Sequence, residues 1–264
     1  MPEIEVNGVR LAYTDNGAGP AVIAIHGWGA SKAVWQPQVE DFARAHRLIA
    51  IDFRGNGDSA RPRGADLYSP QIVAADVRAL MDALGIDRAV LMGQSMGTFV
   101  CQMVYHAEPQ RVIALVLTGA LSGSPPKGHI AGVWVEDIVR DIETNGIKSY
   151  LDRNVQYFFA PGADPGLIRA AAVAAYKFDP QAAIAYARSI VGLSIRDKLG
   201  EIKVPTLIID GREDGRTPIE EGEFMNRHLP NAWLKLVPGA GHLVNVEQPH
   251  AFNHAVLSFI ATNT

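Results

Sequence analysis

The chain of 264 residues reads as an α/β protein: a mostly parallel, twisted sheet with helices on both faces and an inserted all-helical cap. Three observations predict this. Several short apolar runs, such as Ala21-Val22-Ile23-Ala24-Ile25, are continuous rather than alternating, as strands buried on both faces are. Segments with helical apolar spacing stand between them, and strand–helix alternation is the rhythm of a parallel sheet. That rhythm stops between Gly119 and about Ile202, where only helical patterns occur. With 48% apolar residues the chain can bury a large core, and α/β folds of this length often remain one unit.

Taken in order, Ile4-Glu5-Val6 and Val9 to Tyr13 alternate around Asn7-Gly8, a hairpin signal because both turn positions need positive φ. The buried strand Ala21–Ile25 ends in His26-Gly27-Trp28-Gly29, after which Trp35, Val39 and Phe42 mark one helical face. Leu48-Ile49-Ala50-Ile51 is a second buried strand. Ser69 with Pro70 behind it caps a helix that buries Ile72, Val73, Val77, Leu80, Met81 and Leu84 and stops at Gly85. The strand Ala89-Val90-Leu91-Met92, a helix from Thr98 and the strand Val112–Leu117 follow. Helices are expected over 133–144, 147–155, 165–176 and 180–191 with no strand among them. The sheet resumes at Pro205–Ile209 and Trp233–Val237, and a last helix starts at about Pro249. Residues 1–120 and 203–264 are thus expected to form the core and 121–202 the cap. The glycines and serines of Leu121–Gly128 suit a hinge, although Pro125-Pro126 could stiffen it.

Composition narrows the partners. Twenty-four basic against twenty-eight acidic residues, with no basic run, give no nucleic-acid footprint. No stretch of eighteen apolar residues and no signal-like N-terminus occur, so no membrane partner is expected and the location is read as cytoplasmic. A single cysteine, Cys101, excludes an internal disulfide, and its apolar neighbours make it a buried helix residue. His and Cys do not fall at metal-ligand spacing, so neither metal nor cofactor is expected. The assembly is left open to a homodimer.

The stretch that carries chemistry is Gly93-Gln94-Ser95-Met96-Gly97, a G-x-S-x-G between a strand and a helix. In such a nucleophile elbow the serine sits on a tight, strained turn, and the glycines let strand and helix approach closely. The Met96 amide, in the first turn of the helix, would face the oxygen of an attacked carbonyl. A serine hydroxyl is a weak nucleophile at neutral pH. It needs a base within reach and a carboxylate that holds the base in the right tautomer. Of eight histidines, His242 is the best base, because it follows Pro238-Gly239-Ala240-Gly241, a loop of small residues after a strand. His106, His228, His250 and His254 sit in helical patterns as surface or satisfied residues.

Five motifs stand in the order and spacing of the α/β-hydrolases with a helical cap, and the chain resembles that family along nearly its whole length. They are His26-Gly27-Trp28-Gly29; Asp52-Phe53-Arg54-Gly55-Asn56-Gly57-Asp58-Ser59; the elbow; Gly211-Arg212-Glu213-Asp214-Gly215-Arg216-Thr217-Pro218; and Gly241-His242 with Glu247 and Pro249. The resemblance implies a catalytic triad of Ser95, Asp214 and His242, and an oxyanion hole made by the backbone amides of Trp28 and Met96. It implies that His26 supports the oxyanion loop. Glu213 and Asp210 are rivals of Asp214, read as solvated or turn-capping loop charges, and Asp52 and Arg54 are read as ties of their turn.

Serine at position 95 argues against dehalogenases and epoxide hydrolases, which attack through an aspartate. Thr98-Phe99 departs from the G-x-S-x-G-G-G-E of cofactor-free haloperoxidases. The run from Gly241 to Asn253 resembles the 3-oxoadipate enol-lactonase branch, a likeness shared with carboxylesterases. The expected partner is a small-molecule ester or lactone, largely neutral and apolar, because the cap offers no cluster of basic residues: Lys127, Arg153, Arg169 and Lys177 are scattered. Trp28 and Met96 should border the substrate, with Trp134, Tyr157, Phe158 and Phe159 as cap candidates. Carbon–carbon bond hydrolases of aromatic degradation share the triad and remain an alternative, as does a binding or receptor module on the same fold.

Overall fold

The computed structural model describes residues 2–123, 129–130 and 133–264. Eight strands form one sheet: β1 (Glu3–Val6), β2 (Val9–Asn16), β3 (Ala21–Ile25), β4 (Arg47–Ile51), β5 (Ala89–Gln94), β6 (Val112–Thr118), β9 (Thr206–Gly211) and β10 (Ala232–Val237). β7 (His129–Ile130) and β8 (Val133–Trp134) pair separately as a short ribbon. The helices are α1 (Val39–Phe42), α2 (Pro70–Ala83), α3 (Met96–Ala107), α4 (Val135–Asn145), α5 (Ile147–Asn154), α6 (Pro165–Ala175), α7 (Pro180–Ser189), α8 (Ile219–His228), α9 (Val244–Glu247) and α10 (Pro249–Asn263). The strand order is β1-β2-β4-β3-β5-β6-β9-β10. β2 is antiparallel to both its neighbours, and the strands from β4 to β10 run parallel.

Strand periodicity divides the core into two layers. Ile23, Ile25, Ile49, Leu91, Leu115 and Ile208 face one way, into a cluster with Val77, Leu80 and Met81 of α2 and Val100 and Val104 of α3. Val22, Ala24, Leu48, Val90, Val116 and Ile209 face the other, against Trp35, Phe42 and Phe252, Val256 and Ile260 of α10. Burial on both faces is why these strands are apolar throughout. At the hairpin, Asn7 and Gly8 both adopt positive φ, 51° and 70°, and Val6 pairs with Val9. The Ser69 hydroxyl accepts from the Ile72 amide at the start of α2, and Gly85, at φ 64°, lies beyond its end.

Between β6 and β9 the helical segment packs on the loops at the C-terminal edge of the sheet. Ile138, Tyr150, Phe178 and Tyr186 share one cluster with the core below. The Trp28 indole donates to Ala183 O (2.9 Å), the Asp179 amide to Gly55 O (2.8 Å), and Tyr186 Oη to Arg54 O (3.1 Å). Lys177 pairs with Asp58 at 2.5 Å, which, with Lys32, holds that carboxyl at about 2. The expectation of helices alone is corrected at its start. Ile130, Val133 and Trp134 are β-branched or aromatic and pair as β7–β8, so the first helix begins at Val135. Trp35 lies on a 3-10 turn, Lys32–Gln38, rather than an α-helix, with Pro37 inside it. The suggested hinge falls largely on 124–128, outside the described residues.

Candidate active site

The ends of β3, β5, β9 and β10 converge beneath the helical segment. Ser95 follows β5 with φ 53° and ψ −119°, a left-handed backbone that is strained for a residue with a Cβ. Its amide donates to Thr118 O (2.9 Å) at the end of the neighbouring strand. Gly93 and Gly97 permit the turn. A Cβ on Gly93 would run into Gly97 O and Cys101 Sγ, and one on Gly97 into the carbonyls of Ile25 and His26. Cys101 is fully buried, with its thiol pKa pushed up by desolvation, as befits a packing residue.

His242 stands on the loop after β10. Its amide donates to Phe158 O (2.9 Å), and its Nδ1 lies 2.8 Å from Asp214 Oδ2, both side chains almost wholly buried. The other carboxylate oxygen, Asp214 Oδ1, accepts the amides of Arg216 (2.7 Å) and Thr217 (2.9 Å). Burial works to raise the Asp214 pKa, but the adjacent His242 and those two amides outweigh it and hold the carboxyl below its ordinary value. An ionised Asp214 fixes the proton on Nδ1 and leaves Nε2 as the free basic nitrogen. Gly119, at φ 55°, lies against the imidazole so closely that a Cβ there would sit 2.6 Å from Cε1.

Ser95, His242 and Thr217 line one cavity of about 90 Å³ together with Trp28, Met96 and Phe158. The Met96 amide opens α3, where the helix leaves its first donors unmatched. Among the described residues no acceptor takes it or the Trp28 amide. A Cβ on Gly27 would strike Gln94 and Ser95, so the chain before Trp28 runs hard against the elbow. Trp28 also stacks edge-on with Tyr150 and Phe178, at 5.8 and 5.5 Å, which joins its loop to the segment above.

The rival groups have other partners. His26 Nδ1 donates to Gly27 O (2.7 Å) and Nε2 accepts the Phe53 amide (3.2 Å), and burial lowers its pKa to about 4. It is a neutral brace beneath the Trp28 loop. Glu213 accepts the amides of Gly239 and Ala240. Asp210, expected as a loop charge, is buried at the end of β9 instead, where it accepts the Ala120 amide (3.2 Å) and desolvation raises its pKa to about 7. Arg54 forms a two-pronged pair with Asp76, at 2.8 and 2.7 Å, while Asp52 holds Lys32 and the Asp58 amide.

Of the expected substrate-facing side chains, Trp28, Met96 and Phe158 line the cavity and three do not. Trp134 is 51% exposed at the end of β8, and Tyr157 is 58% exposed with the Arg216 guanidinium 5.5 Å from its ring centre. Phe159 is buried in a separate cluster with Val155, Ala172 and Leu243. In the short 3-10 turn Val155–Phe158, neighbouring side chains point in different directions, so adjacent aromatics cannot all reach one cavity. Phe99, Ile138, Tyr150, Ile190 and Arg216 line it unforeseen. Ile138 and Tyr150 lie on the buried stripes of α4 and α5, a signal that marks core but does not distinguish a core side chain from a cavity wall. Among the described residues no helix is long and apolar enough to cross a membrane, and no group of three or more His, Cys, Asp or Glu could hold a metal ion.

A family model described as alpha/beta hydrolase fold matches residues 20–249. A 3-oxoadipate enol-lactonase of Acinetobacter baylyi is 27% identical over 97% of this chain and 92% of its own. A pimeloyl-[acyl-carrier protein] methyl ester esterase of Vibrio campbellii is 28% identical over 96% of this chain and 99% of its own. Among solved structures, an enol-lactonase from Burkholderia xenovorans LB400 superposes with a TM-score of 0.89 at 26% identity, covering 98% of this chain and all of that one.

Proposed function

Because the chain belongs to the α/β hydrolase family, we propose that it is a serine hydrolase that cleaves a carboxylic ester or lactone through an acyl-enzyme on Ser95. The observation that carries this reading is the 2.8 Å contact between His242 and Asp214, with His242 and Ser95 on the wall of the same cavity. The names of the similar proteins, a lactonase and a methyl ester esterase, support the same reaction class.

In this reading His242 Nε2 takes the Ser95 proton as Oγ attacks the carbonyl, and Asp214 stabilises the imidazolium that forms. The amides of Trp28 and Met96 receive the oxyanion, each worth roughly 3 kcal/mol in the transition state. His242 then returns the proton to the leaving alkoxide. A water deprotonated by the same nitrogen attacks the acyl-enzyme and releases the acid. For a lactone the leaving alkoxide stays tethered to the acyl group, so ring opening comes first. Residues 121–202 act as the cap over this chemistry, and Trp28, Met96 and Phe158 bound the acyl group. The lining is mostly apolar, which suits a small substrate with an apolar body.

The test is initial rates on short aryl esters, simple lactones and one vinylogous 1,5-diketone, with the unmodified protein and with Ser95→Ala. Turnover of esters or lactones that falls by several orders of magnitude in the variant, with the fold retained, is expected. A Ser95→Ala protein near the unmodified rate would sink the assignment, and turnover confined to the diketone would move it to carbon–carbon bond cleavage.

A further inference from the structure

One group on the cavity wall has no part in the acyl-transfer steps. Arg216, two residues beyond Asp214, lines the cavity beside Thr217 and His242 and is half-buried. Its Nη2 donates to Asn154 O at 3.2 Å, and its guanidinium lies 4.6 Å from the ring centre of Phe158 and 5.5 Å from that of Tyr157. Its Nε is buried without a hydrogen-bond partner, and among the described residues Arg216 enters no ion pair. Asp214 lends it some Coulomb attraction but no hydrogen bond, because that carboxylate already accepts two amides and His242.

A guanidinium does not shed its proton, so the charge persists although desolvation holds the Arg216 pKa below its usual value. A half-buried cation with an unused donor is costly unless something negative completes it. Two aromatic rings and one carbonyl fix the guanidinium in place, and its planar fork matches a carboxylate.

We propose that Arg216 reads one carboxylate on the substrate, so that the preferred ester or lactone is a monoanion with an apolar remainder. This rests on the hydrolase reading above and sharpens it. The walls remain apolar, and a single positive group supplied by the acid loop, not by the cap, sets the preference.

Methyl pentanoate and monomethyl glutarate differ by a terminal methyl against a carboxylate. Their kcat/KM ratio, followed by proton release, is the readout. Arg216→Met is expected to shift that ratio away from monomethyl glutarate by about tenfold to a hundredfold, the range for a lost charged hydrogen bond. Arg216→Lys, which keeps the charge without the fork, is expected to recover part of it. An unchanged ratio, with both esters still cleaved through Ser95, overturns the proposal and leaves the hydrolase reading intact. A second measurement does not depend on turnover: calorimetric binding of glutarate to Ser95→Ala and to Ser95→Ala/Arg216→Met. Affinity weaker by a similar factor in the double variant supports the role of Arg216, and equal affinity overturns it even where neither ester is cleaved.

Discussion

Two buried groups beside the site, Asp210 and His26, are shifted toward their neutral forms by desolvation, with opposite consequences for stability. Asp210 titrates at about 7 when folded against 3.8 unfolded, so between those values the folded state binds more protons and stability falls as pH rises. His26 titrates at about 4 against 6.5, so there the folded state binds fewer protons and stability rises with pH. The two effects offset one another in the unmodified protein, and only a variant separates them. Asp210→Asn keeps an acceptor for the Ala120 amide and removes the titration. Its stability relative to the unmodified protein is expected to improve between pH 4 and pH 8 by up to roughly 4 kcal/mol, read from denaturant midpoints. A pH-independent difference would contradict the assignment of a neutral carboxyl. Ser95, Asp214 and His242 were legible as candidates because each sits in a motif whose spacing follows from backbone geometry. Ser95 is marked by the glycines its turn requires, and His242 by the small residues of its loop. Arg216 stands in the same loop as Asp214, outside the cap, and nothing in its sequence spacing marks it as a cavity residue. Its significance lies in what surrounds it in space.

At the scale of elements, the junction of β5 and α3 is the part with least tolerance. Gly97 faces the carbonyls of Ile25 and His26 where α3 crosses β3, so no side chain fits without moving the helix. Gly97→Ala is expected to cost about 1–3 kcal/mol in stability and, by displacing the Met96 amide, to lower kcat more than tenfold. Thermal unfolding and steady-state kinetics check this, and a variant unchanged in both would mean the crossing is looser than described. Strands buried on both faces and the capped helix α2 could be read from apolar runs and from Ser69-Pro70. The helix α8 could not: Ile219–His228 carries little apolar periodicity and buries only Gly222 and Met225. The ribbon β7–β8 was hidden for a related reason, since a two-residue strand is too short to show alternation.

For the molecule as a whole, much of the apolar surface of the helical segment between β6 and β9, including Ile138, Tyr150, Phe178 and Tyr186, belongs to the same cluster as the core, beside smaller clusters around Val139 and Phe159, so the cavity is a seam within a largely continuous interior. The loops that carry Ser95, Asp214 and His242 stand at one edge of the sheet, and the segment reaches them through Trp28–Ala183 and His242–Phe158. The site therefore depends on the same contacts that hold the two parts together. The central claim is that Ser95 is a nucleophile activated by His242 and Asp214. Intact and peptide mass after brief exposure to a fluorophosphonate tests it most directly. One adduct is expected, carried by Ser95, formed by the unmodified protein and slowed by orders of magnitude in His242→Ala. An adduct on another residue, or labelling of Ser95 at the same rate without His242, would contradict it.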